Sequence, residues 1–190
     1  MAGPSLGLWL TEPLTLTQLT GTAVPWLRTF CRPVEVDADA VDFWVRDAGP
    51  LHLGPVDLDG VPLRLWIERE PWADGDDLAV LPQPPRQELG LYAGCNDILD
   101  HRVLGALALA LARRLDALVD FDGLLATGGP STTATLEETA GEARAVLGAL
   151  PGRLWEVTYD MATGHRWAYH VGDAEFLAAW LRHPRFHLVS

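Results

Sequence analysis

The spacing of apolar and polar positions changes several times along the chain, and each change marks an element. Residues 4–10, PSLGLWL, form a short and almost unbroken apolar run that reads as a strand. Leu16, Leu19, Leu27 and Phe30 then recur at helical spacing over about 15–31, with Pro25 inside the pattern and expected to kink or split that helix. Residues 42–46 and 51–56 read as strands. Leu63, Leu65 and Ile67 alternate with Arg64, Trp66 and Glu68, and the Asp59-Gly60 turn ahead of them predicts a hairpin with 51–56.

From 70 to 85 the periodicity is lost in a stretch rich in Pro, Asp and Gly, expected to be a surface loop with at most one helical turn. A strand over 87–94, a helix over 100–115 and a strand over 117–121 follow with short joints. The helix is apolar almost all round between Val103 and Leu111, which predicts packing on more than one side. Strand, helix and strand so joined predict a βαβ unit with two adjacent parallel strands and a right-handed crossover. Residues 123–134 read as a second surface loop, mobile over 126–134, and 135–150 as an amphipathic helix. A hairpin over 153–159 and 166–170, a helix over 173–182 capped by Asp173, and a short strand over 186–189 complete the chain. The fold class expected is α+β: one domain over 1–190, with a mixed sheet, hairpins at both ends, one central parallel βαβ unit and helices packed against it.

Composition narrows the chemistry. All 14 basic residues are arginine, so no lysine Schiff base, P-loop lysine or lysine general base is possible. Cys31 and Cys95 are the only cysteines and form no CxxC pair, so both read as free thiols of a reducing, cytoplasmic protein. The N-terminus lacks the basic region of a secretory signal, and the longest apolar stretch is too short to span a bilayer. A formal net charge of −12 opposes nucleic acid and favours encounter with a basic protein, although the same excess also keeps a chain soluble.

Two constellations stand out. Asn96, Asp97, Asp100 and His101 follow the strand over 87–94, and Asp120 and Asp122 follow the strand over 117–121, so parallel strands would bring them to one crevice. There they could hold a divalent metal or act as acid and base, the pattern of a small metal-assisted hydrolase or a small-molecule site. The same residue types also cap helices and make turns. The second constellation is Trp66 and Trp72 beside Asp74, Asp76 and Asp77, where exposed indoles next to carboxylates would suit an interface with a basic protein. The histidines show no zinc spacing, no nucleophile elbow or phosphate loop is present, and no cofactor is predicted.

The stretches GPSLGLWL, CRPVE with DFWVRD, CNDILDHRVLGALALALARRLDALVDFDG and HVGDAEFLAAWLRHPRFHLV resemble an uncharacterised family of small actinobacterial proteins, described as a domain of unknown function. The resemblance covers most of the chain and implies no chemistry. In size, charge and layout the chain is also similar to small cytoplasmic immunity proteins of bacterial toxin systems. The leading expectation is a non-enzymatic, immunity-like or regulatory protein that binds a basic partner.

Overall fold

The computed structural model describes residues 3–54, 60–69, 72, 75–125, 143–160 and 164–189. The apolar run near the N-terminus is β1 (Ser5–Leu10), and its position decides the topology. Next come α1 (Leu16–Leu27), β2 (Cys31–Val36), β3 (Ala40–Val45), β4 (Val61–Ile67), β5 (Gln87–Ala93), α2 (Ile98–Leu115) and β6 (Leu118–Asp120). A helical segment α3 over 143–148, β7 (Leu154–Asp160), β8 (Arg166–Gly172) and α4 (Ala174–Leu181) follow. The strands form one eight-stranded sheet in the order β2-β3-β4-β5-β1-β6-β8-β7, with every neighbouring pair antiparallel.

This corrects the expected mixed sheet. β5 and β6 do not pair: β1 lies between them and runs antiparallel to both, Gly7 standing opposite Gly90 on one side and Asp120 on the other. The α2 crossover therefore passes over an intervening strand, and no parallel βαβ unit forms. The physical reason lies in β1, where every residue from Leu6 to Leu10 is buried. A strand apolar on both faces is best buried between two others. Short joints around α2 specify which elements are consecutive, not which strand enters between them.

Alternation along the strands separates two faces. Leu6, Leu8 and Leu10 of β1, Leu89, Leu91 and Ala93 of β5, and Val41, Phe43 and Val45 of β3 belong to the main core. The helices pack on this side, α1 on β2 and β3, α2 on β1, β4, β5 and β6, and α4 on α2, β6 and β8. A smaller apolar cluster on the opposite face joins Trp9, Val157 and Val171 to Leu81, with Trp72, Leu78, Leu118, Trp155 and Tyr169 against it. It is covered by the connection from β4 to β5, whose 3-10 turn, Leu78–Val80, packs on β7. The Asp77 amide donates to the Thr158 carbonyl at 2.9 Å, fixing this strap to the far edge strand.

Several local expectations also change. Pro25 sits in the last turn of an unbroken α1, where few later amides are needed, and Cys31 already belongs to β2. Gly49–Leu51 is a 3-10 turn closed by left-handed His52, so no strand starts at Leu51; 55–59 lie outside the described residues. β4 pairs instead with β3. Residues 186–189 make no strand: the Leu188 amide is taken by a histidine side chain. The loop expected over 126–134 lies outside the described residues, as does the first half of the helix expected over 135–150. Among the described residues no helix is long and apolar enough to cross a membrane.

Candidate functional site

The first predicted constellation divides between two places. At the start of α2 the chain must satisfy free amides, and Asp97 does so: its Oδ1 accepts from Leu99 at 2.8 Å and Asp100 at 3.2 Å. Asp100 reciprocates, its Oδ2 accepting from the Asp97 amide at 2.8 Å, which closes a capping box. Burial raises the Asp100 carboxyl above its ordinary value, more than the Asp97 amide offsets.

His101, also buried, has both ring nitrogens engaged. Nδ1 accepts from the Leu188 amide at 2.9 Å, so Nε2 must carry the proton and donates it to Asn96 Oδ1 at 2.8 Å. Burial, reinforced by His187, holds its pKa below the ordinary value. Asn96, Asp97, Asp100 and His101 thus form a tied-down group that starts the helix and anchors the C-terminal segment.

Asp120 and Asp122 lie elsewhere, on the face of the sheet away from α2. The β1–β6 register sets Asp120 level with Gly7, and the Asp122 amide, at left-handed φ 54°, donates back to Asp120 Oδ1 at 2.9 Å. Ser5 Oγ donates to Asp122 Oδ2. Both carboxyls line a concavity of about 540 Å³, together with Asp76 from the strap and Trp9, Tyr159, Trp167 and Tyr169 from the sheet. Trp167 is 57% exposed at its mouth.

Glu88, which the sequence reading passed over, completes the cluster. It follows the alternation of β5 onto this face with Gly90 and Tyr92, while Leu89 and Leu91 enter the main core. Gly7 and Gly90, paired across β1 and β5, leave a bare strip on which the Glu88 carboxyl covers Gly7 and the Trp66 ring covers Gly90. Burial, then Asp120, Glu68 and Asp122, raise the Glu88 carboxyl to about 8, against an opposing pull from the Trp9 indole N–H. Burial and the charges of Asp122 and Asp76 raise Asp120 to about 7, the Asp122 amide opposing. The Tyr169 phenol is also pushed up, by burial and by Asp76, Asp120 and Glu88. Among the described residues, no arginine or histidine figures among the charges acting on these three groups, and none lines the concavity.

Two indoles beside this cluster, the buried Trp9 and the half-buried Trp72, have inaccessible N–H groups left unmatched. Trp9 is 2% exposed, and its ring meets Trp72 and Tyr169 edge to face at 5.7 and 5.8 Å. The Nε1–H groups of Trp9 and Trp72 have no hydrogen-bond partner. The Trp9 N–H lies near enough to Glu88 to favour its ionised form, yet closes no bond of normal geometry.

The second predicted constellation is only partly at this site. Trp72 and Asp76 are there, whereas Asp77 lies beside the strap's 3-10 turn with Arg166 Nη2 4.0 Å from its carboxylate. Asp74 is outside the described residues. Trp66 is half-buried on Gly90 and donates to Glu68 Oε2 at 3.0 Å; it lines a separate concavity with Asp39, Arg64 and Tyr92. Among the described residues no group of three or more His, Cys, Asp and Glu side chains is arranged to hold a metal ion.

Compared with known proteins, residues 2–190 match a family described as one of unknown function. No curated protein and no solved structure matches the chain.

Proposed function

We propose, from the premise that the chain belongs to this family, DUF6368, which assigns it no activity, that it is a binding protein for a basic protein partner. The partner docks on the sheet face opposite the helices. The observation that carries this reading is the convergence of Asp76, Asp120 and Asp122 at an aromatic-walled concavity, with the Glu88 carboxyl behind it across Gly7 from Asp120; among the described residues no arginine or histidine lines it. Glu88 and Asp120 are raised by burial and by neighbouring carboxylates, so a cation bound beside them favours their ionised forms. The net charge of −12 steers such a partner, and the exposed Trp167 offers a rigid apolar anchor at the rim. An immunity-like or regulatory role fits such a binder.

The test is affinity capture from the native host, followed by binding kinetics with the captured protein. A basic partner should associate more slowly with the Asp76→Asn/Asp122→Asn double variant, with a flatter dependence on salt. Unchanged association rate and salt response would remove this face from the interface.

A second reading has one observation in its favour. Glu88 and Asp120, raised to about 8 and 7, flank Gly7 as a carboxyl pair that titrates near neutrality, as general acid and base require. It makes the same concavity a small-molecule site or a small hydrolase. Turnover of a glycoside or ester panel that disappears in Glu88→Gln would favour it over the binder.

A further inference from the structure

Resting on the binding reading above, we infer that the concavity is a pocket for one arginine side chain of the partner, its guanidinium held between Trp167 and the Tyr159 and Tyr169 rings and against Asp120 and Asp122. Three independent features converge on that ligand. The lining combines carboxyls with aromatic rings, and a guanidinium is the cation that uses both, since it is planar, weakly hydrated and stacks on rings while its fork of donors meets carboxylates. An ammonium needs more water and uses the rings less well. The volume of about 540 Å³ suits a side chain or small ligand rather than a folded element.

The third feature is the orphan N–H of Trp9, a polar group on a residue 98% buried by the exposure given above, lying beside the Glu88 carboxyl. A buried donor without an acceptor is unfavourable. An ionised Glu88 is the stronger acceptor for it, but burial, Asp120, Glu68 and Asp122 oppose that ionisation, and among the described residues no positive charge is found acting on it. An entering guanidinium offsets their repulsion, and the proton leaves Glu88 for solvent. The carboxylate then accepts from the Trp9 indole. Binding and a stronger acceptor for the buried donor are thereby coupled.

The experiment uses the full chain, isotopically labelled so that the indole N–H resonances are resolved, titrated with the blocked peptide acetyl-Gly-Arg-Gly-amide. Its counterparts carry citrulline, neutral and nearly isosteric, or lysine in place of arginine. The arginine peptide should bind at least tenfold more tightly than the citrulline peptide and move the Trp9 resonance. Asp120→Asn and Trp167→Ala should each weaken it at least fivefold. Trp167 is exposed, so its truncation leaves the fold intact should Asp120→Asn disturb it. Equal binding of the arginine and citrulline peptides overturns the inference, as does a lysine peptide that binds as well as arginine, or a wild-type affinity retained by Trp167→Ala. A captured basic protein that binds wild type and Asp120→Asn alike also overturns the arginine pocket while leaving the binding reading standing. Peptide binding with no basic partner captured instead supports the pocket and removes the protein-partner reading.

Discussion

The carboxyl group of Glu88 lies over the bare Cα of Gly7, filling the space where a side chain would otherwise stand. The register makes this possible, because Glu88 sits opposite Trp9 on β5 and leans along the strand towards Gly7, whose own cross-strand partner is Gly90. A Cβ at Gly7 would also stand 3.1 Å from Asp120 Cβ. Gly7 therefore holds together a carboxyl cluster to which it contributes no side chain.

Replacing the two glycines should have unequal effects. In Gly7→Ala the nearest obstacle is the end of a flexible Glu88 side chain, which can swing away, and Asp120 Cβ needs to give only slightly, so the loss of stability is about 1 kcal/mol while the carboxyl cluster is dispersed. Gly90→Ala meets the rigid Trp66 ring and should cost on the order of 3 kcal/mol. Urea unfolding of both variants checks the order, and a Gly7→Ala loss larger than that of Gly90→Ala contradicts it.

Stability should depend on pH through Glu88. The groups facing it are Asp120 on β6, Asp122 after it, Glu68 after β4 and the Trp9 indole on β1. Its folded value of about 8 stands above the ordinary 4.5, so between these limits the native state holds a proton that the unfolded chain has released. Stability from this group is complete below about pH 4.5 and is lost as pH rises through 8. Glu88→Gln should therefore be more stable than wild type at pH 9, by at most about 5 kcal/mol and by less as solvent reaches the partly exposed carboxyl, with the difference shrinking towards pH 5. Thermal midpoints measured across that range test it, and a difference independent of pH would count against the assignment.

Asp97 offers a control outside the concavity. Asp97→Ala removes the cap of α2 and should cost about 1 kcal/mol in denaturant unfolding. It should leave binding of the arginine peptide unchanged. A loss of peptide binding at equal foldedness would mean that the two groups act as one site.

The thiols should differ sharply in reactivity. Burial pushes Cys31 up to about 12, whereas Cys95 is exposed. In native conditions at pH 8 an aromatic disulfide reagent such as DTNB should modify one thiol per chain rapidly and the second only on unfolding. A Cys95→Ser variant that still reacts at the fast rate would refute this.

Much of the local structure was legible because it depends on neighbours in sequence. The all-round apolar character of 103–111, the Asp173 cap and the alternation in 63–67 all report short-range physics, and α2, α4 and β4 appear where these signals place them. Strand order was not legible, since nothing within β5, α2 or β6 states that β1 enters between the outer two. The signal lay in β1 itself, whose two-sided apolar run is that of an interior strand. The site divided along the same line. Asp120, Asp122 and Asp76 were found as turn-flanking carboxylates, but Glu88 was missed because it sits inside a strand. The clue there was a carboxylate and a glycine at alternate positions of QELGLYA, both on the face opposite the leucines.

The insertion of β1 at the middle of the sheet also constrains how the chain can be made. The β2-β3-β4-β5 meander and the β6-β8-β7 group share no strand pairing with each other, and within the sheet β1 alone pairs with both. Of these strands β1 is made first, yet neither of its partners exists until the chain has grown past Ala93 and then Asp120. During synthesis its leucines and Trp9 must therefore wait without their final neighbours, and the most apolar strand is the one exposed longest. Contacts so distant in sequence slow folding. An N-terminal truncation that removes β1 would leave two half-sheets, each with a new unpaired edge and a tendency to self-associate.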